Sequence, residues 1–168
     1  ACRRLGLPCM RREVGGGATY LDRDQVFYQV IWNRRSARFP SRIDEIYPWI
    51  SSAAVETYGA FGIRAAYREV NDIVTGEGRK IAGQGGGDIG ESLAFVGGIL
   101  LDFDCRAMSR VLRVPDEKFR DKVFKTMDEN LTTMRRELGQ APPREDVVRV
   151  LAGRFEKLLG RLEPAAMT

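Results

Sequence analysis

Asn71-Asp72-Ile73-Val74-Thr75-Gly76-Glu77-Gly78-Arg79-Lys80-Ile81-Ala82-Gly83 reads as two short strands folded back on a glycine turn. Asp72 to Thr75 and Arg79 to Ala82 carry the β-branched residues, and Gly76-Glu77-Gly78 makes the tight connection. Ala65 to Val70 reads as a further short strand just upstream. Before it, after Pro40 and the N-cap candidate Ser41, residues Ile43, Ile46, Tyr47, Ile50, Ala54 and Tyr58 recur at helical spacing up to Gly59, with Pro48 expected to disturb the first turns. Downstream, a glycine cluster from Gly83 to Gly90 leads into Leu93 to Phe103, an apolar run that fits a strand buried on both faces.

The ends complete the pattern. Leu5 to Val14, Ala18 to Leu21 and Val26 to Trp32 read as strand, strand and strand, the first two joined by the glycine turn Gly15-Gly16-Gly17. Met108, Val111 and Leu112 suggest a short helix. Val148, Leu151, Phe155, Leu158, Leu159 and Leu162 suggest a longer amphipathic one after Pro142-Pro143. Strands, helix, strands, helices is the order of an α+β fold with a mixed or antiparallel sheet flanked by helices.

At 168 residues the chain fits a single domain spanning 1–168. Its 43% hydrophobic and 30% charged residues are ordinary for a globular protein and argue against disorder. A net charge of +4 suits an acidic protein surface or a nucleotide equally well as solubility. Basic and acidic residues alternate from Arg110 to Asp121, so nucleic-acid binding is not expected. The uncharged run Ser92 to Leu101 has a membrane span excluded by length, since about 20 residues are needed. Cys2, Cys9 and Cys105 form no C-x-x-C pair, which points to a reducing cytoplasm. Histidine is absent, so chemistry here must use Lys, Arg, carboxylates, Cys or backbone dipoles.

Two stretches point to a site for a phosphate and a carboxylate. Arg11-Arg12-Glu13-Val14-Gly15-Gly16-Gly17-Ala18-Thr19-Tyr20 offers backbone N–H groups without side chains in the way, beside two cations; taken alone, it is equally a flexible turn. Lys80 is a compact charge suited to two anions brought together, although a lone lysine in a hairpin is more commonly solvated. Asn71 and Asp72 could orient a ribose or hold Mg²⁺, and Asp72 is as readily a turn-stabilising side chain.

These residues resemble the lipoate-protein ligases, which share a catalytic fold with biotin protein ligases and octanoyltransferases. The arginine-arginine and triple-glycine element matches Arg11 to Gly17, continued by Ala18, Thr19 and Tyr20. The asparagine-aspartate element matches Asn71-Asp72, and the lysine-isoleucine-alanine-glycine element matches Lys80 to Gly83. Gly98 to Asp104, then Val111-Leu112-Arg113-Val114-Pro115 and Lys118, look like the family's next strand and helix.

The resemblance implies a two-step reaction: lipoate attacks the α-phosphate of ATP to give lipoyl-AMP, and a lysine of an acceptor protein then attacks that anhydride. It implies Lys80 as the catalytic cation and Arg12, Gly15, Gly16, Gly17, Ala18, Thr19, Tyr20, Asn71, Asp72 and Lys80 as binding residues for nucleotide and lipoate. ATP and Mg²⁺ would be required, and no resident metal is expected. The acceptor would be a lipoyl domain or a glycine-cleavage H-like carrier. Val14 replaces the family's serine, and Leu21 and Val96 stand where histidines are common. A subset linked to sulfur-oxidation lipoyl carriers is similar in lacking them.

Family members carry a helix and strands before the region matched here, and some carry a C-terminal accessory domain. The expectation is a catalytic domain without either, with a complementing N-terminal or accessory chain as a partner. Two alternatives remain: an octanoyltransferase working through a Cys105 thioester, and a non-catalytic half of a split ligase. Cys105 by itself reads rather as a small, partly buried helix-start residue.

Overall fold

The computed structural model describes residues 2–14, 18–111 and 117–163, with side chains omitted for 117–123. Five strands form one antiparallel sheet in the order β1-β5-β4-β3-β2, where β1 is Gln25–Asn33, β2 Ala65–Arg68, β3 Asp72–Thr75, β4 Lys80–Ile89 and β5 Ser92–Leu100. The helices are α1 (Ile43–Ala60), α2 (Cys105–Val111), α3 (Glu117–Asn130), α4 (Met134–Leu138) and α5 (Arg144–Leu159). The antiparallel sheet with flanking helices is the α+β class that the order of elements implied.

Register sorts the side chains. Val26, Tyr28, Val30 and Trp32 on β1 lie opposite Ile99, Gly97, Phe95 and Leu93 on β5. This set belongs to the core, packed by one face of α1 (Ile46, Ile50, Ala53, Ala54, Tyr58) and one face of α5 (Val147, Leu151, Phe155). The buried residues recur at three- and four-residue steps in α1 and at four-residue steps in α5, as a helix lying on a sheet requires. Tyr28 and Phe155 pack with their rings tilted by 58° and centroids 5.0 Å apart, and Arg154 pairs with Glu56 at 3.5 Å across the helices. Gly97 is fixed by close approach: a Cβ there would stand 2.3 Å from the Tyr28 ring.

The structure departs from the sequence reading in several places: β5 ends at Leu100 rather than Phe103, β2 ends at Arg68 rather than Val70, and Arg42 rather than Ser41 stands at the N-cap of α1. Residues 5–14 and 18–21 form no strand, and a 3-10 turn spans Cys2–Leu5 instead. Of residues 5–14 only Val14 is buried, so a strand there would have had no face to bury. Pro48 lies inside α1 without ending it; the one bond it forfeits is to the exposed Asp44 carbonyl in the first turns, which water can satisfy. β4 does not stop at Ala82 but runs through the glycine cluster, because β5 supplies a ladder partner from Gln84 to Ile89. Helices α3 and α4 were not legible, and α5 buries Val147 rather than Val148. Among the described residues, no helix is long and apolar enough to cross a membrane.

Candidate functional site

A β-bulge sets the orientation of Lys80. Ile73 pairs with Ala82 but Val74 pairs with Lys80, so Ile81 is passed over in the ladder. Ile81 and Ala82 are both buried, and the skipped residue reverses the alternation. Lys80 and Gly83 therefore share a side. A Cβ on Gly83 would stand 3.2 Å from Lys80 Cε and Nζ, so the bare backbone is the bed on which the lysine lies. The Tyr58 hydroxyl, buried beneath, donates to the Ile81 carbonyl at 3.1 Å and pins the bulge.

Lys80 points into a cavity of about 500 Å³. Its floor is the glycine-rich part of the sheet, including Gly83, Gly85, Gly86, Gly97 and Gly98. Phe27, Val96, Leu100, Phe103 and Met108 make an apolar side, and Arg12, Ala18, Thr19 and Tyr20 close it from the N-terminal segment. Arg12 donates to Thr19 Oγ1 at 2.8 Å, and Tyr20 meets Phe103 edge-on at 6.0 Å. Burial, with the negative charges of Asp22 and Asp104, raises the Tyr20 phenol pKa. The cavity thus joins cations at one wall to apolar surface at another. That is the lining for a ligand with an anionic head and a hydrocarbon tail.

Asp72 holds Lys80 from the side, with Nζ 2.5 Å from Oδ1, while Arg68 takes Oδ2 at 3.1 Å. Asn71 lines the cavity, and its amide donates to the Gln84 carbonyl at 2.7 Å while the Gln84 N–H donates back to the Asn71 carbonyl. Each Asp72 oxygen thus faces a cation, Lys80 on one side and Arg68 on the other, so a divalent ion at this carboxylate would compete with two positive charges. Among the described residues, no group of three or more His, Cys, Asp or Glu side chains could hold a metal.

The structure therefore gathers Arg12, Ala18, Thr19, Tyr20, Asn71 and Lys80 at one cavity and sets Asp72 behind the lysine. Gly15, Gly16 and Gly17 lie outside the described residues, as do residues 112–116 of the stretch that resembled the family's next helix. Leu21 is 54% exposed and away from the wall, whereas Val96 is on it. Gln25, Phe27, Tyr47 and Met108 also line the cavity and carried no signal of their own in the sequence. Cys105 is buried at the start of α2, not on the wall, and burial pushes its thiol pKa up, with Arg136 opposing.

The family model for the lipoyl protein ligase A/B catalytic domain matches residues 1–156. The chain belongs to this family. It is 29% identical over 185 aligned positions to the octanoyltransferase LipM of Kyrpidia tusciae, covering 97% of this chain and 67% of that protein. It is 30% identical to lipoate-protein ligase A subunit 1 of Thermoplasma acidophilum, over 79% of this chain and 52% of that one. The structure of a bipartite lipoate protein ligase with its E2 lipoyl domain, also from T. acidophilum, superposes with a TM-score of 0.86 at 27% identity, over 99% of this chain and 64% of that one. A lipoate-protein ligase A bound with ATP shares the fold, with a TM-score of 0.73 at 21% identity over 94% and 61% of the two chains. The chain thus spans between about half and two thirds of the length of these relatives. They include both ligases and an octanoyltransferase, so membership establishes an acyl-transfer family and not which reaction.

Proposed function

We propose that this chain catalyses ATP-dependent activation of lipoate, or a closely related medium-chain acid, as an acyl-adenylate, and passes the acyl group to a lysine of a lipoyl acceptor protein. The observation that carries this is the pairing of Lys80 and Arg12 with an apolar wall in one cavity, with no thiol among the described lining residues. An octanoyltransferase acting through a thioester needs a cysteine at the acyl carbon. Cys105 is buried off the wall and its pKa is raised, both opposed to that role.

In this reading the acyl tail lies along Phe27, Val96 and Leu100, and the carboxylate meets the nucleotide beside Lys80. Two anions cannot approach unaided. The Lys80 ammonium offsets their repulsion and then stabilises the charge that builds on the α-phosphate oxygens as pyrophosphate leaves. Asp72 and the glycine bed hold Nζ in place beforehand, so little reorganisation is needed at the moment of reaction. Arg12, steadied by Thr19, faces the phosphates. Mg²⁺ would arrive with the nucleotide, bound to its phosphates. The single 1–168 catalytic domain, working with an accessory chain of the kind the bipartite ligase of T. acidophilum implies, and cytoplasmic location are parts of the same proposal.

The deciding experiment follows pyrophosphate released from ATP with and without lipoate. Release that depends on lipoate and survives Cys105→Ala supports the ligase. ATP-independent octanoyl transfer abolished by Cys105→Ala would establish the transferase instead.

A further inference from the structure

The 131–133 segment, which no sequence motif singled out, is built into the base of the Lys80 strand. Thr132 N–H donates to the Lys80 carbonyl at 2.8 Å, and Leu131 forms a parallel bridge with Lys80 while also lining the cavity. The Thr132 side chain, fully buried, donates its hydroxyl to Glu137 Oε1 one turn further on. Glu137 Oε1 also accepts from Arg79, at 2.9 Å, the residue directly before Lys80. The loop closes on itself: Lys80 carbonyl, Thr132, Glu137, Arg79, Lys80.

The rest of α4 makes this loop a strut. Thr133 caps the helix through Arg136 N–H, and Gly139 ends it in the left-handed region with φ of 80°. Met134 is fully buried, and Arg135 ties the helix to the far end of β5 through the Leu101 carbonyl at 2.9 Å and Asp102 at 3.0 Å. Leu101 and Asp102 lead directly into Phe103, which lines the cavity. The five-residue helix therefore joins the strand that begins with Lys80 to the strand end that leads to the apolar wall. A helix this short gains little from its own hydrogen bonds, so its conservation of shape depends on these attachments.

We propose that Thr132 and Glu137 are positioning residues that act through Lys80, setting where its ammonium stands relative to the apolar wall. The proposal rests on the reading of Lys80 given above. Asp72 and Gly83 constrain the far end of the side chain, and the Thr132–Glu137–Arg79 loop constrains its root. A shift of about 1 Å at the root carries to Nζ, and misplacement on that scale costs up to about a hundredfold in rate.

The test measures kcat, KM for ATP and Tm for lipoate-dependent pyrophosphate release by the full chain and four variants. Thr132→Val keeps the volume and removes the hydroxyl; kcat falls about tenfold to a hundredfold, with KM for ATP close to that of the parent chain. Thr132→Ser keeps the hydroxyl and removes a buried methyl; it recovers most of the kcat. Glu137→Gln keeps an acceptor for Thr132 but loses the charge facing Arg79, and its kcat falls between the two. A merely structural role makes kcat follow Tm across the three, whereas positioning makes it follow how many of the Thr132–Glu137 and Glu137–Arg79 links survive, whatever Tm does. Parent-like kcat in Thr132→Val, or kcat tracking Tm, overturns the proposal. Lys80→Ala is the control: if that variant is inactive and Thr132→Val is normal, the positioning role alone fails. If Lys80→Ala turns over normally, the reading of Lys80 fails and takes the proposal with it.

Discussion

Replacing Lys80 by alanine separates charge from fold. The side chain is 35% exposed and its partner Asp72 21%, so their pair is partly solvated and contributes no more than about 1 kcal/mol to stability. Asp72 is not orphaned by the change, because Arg68 remains 3.1 Å from its other oxygen. A loss of 1 kcal/mol lowers Tm by about 2–4 °C in a domain of this size. The catalytic cost is of another order. Removing one preorganised group aimed at developing transition-state charge costs about 10²-fold to 10³-fold, or about 2.7–4 kcal/mol of barrier. The assay pairs a thermal melt with lipoate-dependent pyrophosphate release, and Lys80→Arg accompanies it. The guanidinium keeps the charge but is planar and bulkier over the Gly83 bed, so activity returns only in part. Release at the parent rate by Lys80→Ala would refute the assignment of the site. A fall in Tm of ten degrees or more would refute the argument that the lysine is there for charge rather than for packing.

Three further outcomes follow from the same geometry. Gly97→Ala places a Cβ 2.3 Å from the Tyr28 ring and costs about 1–3 kcal/mol in the melt; combining it with Tyr28→Leu recovers part of the loss, and strict additivity of the two would contradict the contact. Cys105→Ala leaves lipoate-dependent pyrophosphate release intact, and iodoacetamide at pH 8 leaves the native Cys105 thiol unmodified until the chain is unfolded, because the thiol is buried and its pKa raised by that burial; rapid native labelling found by mass spectrometry would contradict this. Burial pushes Tyr28 up to about 12 from 10, so its contribution to stability is complete below about pH 10 and is lost as pH rises from 10 towards 12. Denaturant unfolding across that window shows the decline, and Tyr28→Phe flattens its share of it.

The site was legible where chemistry concentrates in short, local strings. Arg12, Ala18 to Tyr20, Asn71 and Lys80 stand in two stretches whose residue types suit anions, and the structure brings these stretches to one cavity although residues 21–70 lie between them. The apolar wall was not legible in the same way. Phe27, Leu100, Phe103 and Met108 look in sequence like any core residues, because the same hydrocarbon side chain serves a packed interior or a ligand wall. Thr132 and Glu137 were invisible for a related reason: their partners, Lys80 and Arg79, lie about fifty residues upstream, and nothing local distinguishes them from a surface helix.

Some of the fold followed from local periodicity alone. The hairpin from Asp72 to Ala82, the apolar strand begun near Leu93 and the amphipathic helices around Ile50 and Leu151 are short-range patterns that any environment would respect, and they were enough to settle an α+β chain. Tertiary structure decided the rest. Whether Gly83 to Ile89 is a loop or a strand depends on β5 lying alongside to pair with it, and whether residues 5–14 form a strand depends on a partner they lack a buried face to recruit. The direction of Lys80 belongs to this second class. Two-residue alternation would have set it with Ala82 on the buried side; the skipped Ile81, held by Tyr58 from α1, turns it to the cavity. Residue types determine what a side chain can do, and long-range pairing determines which way it points.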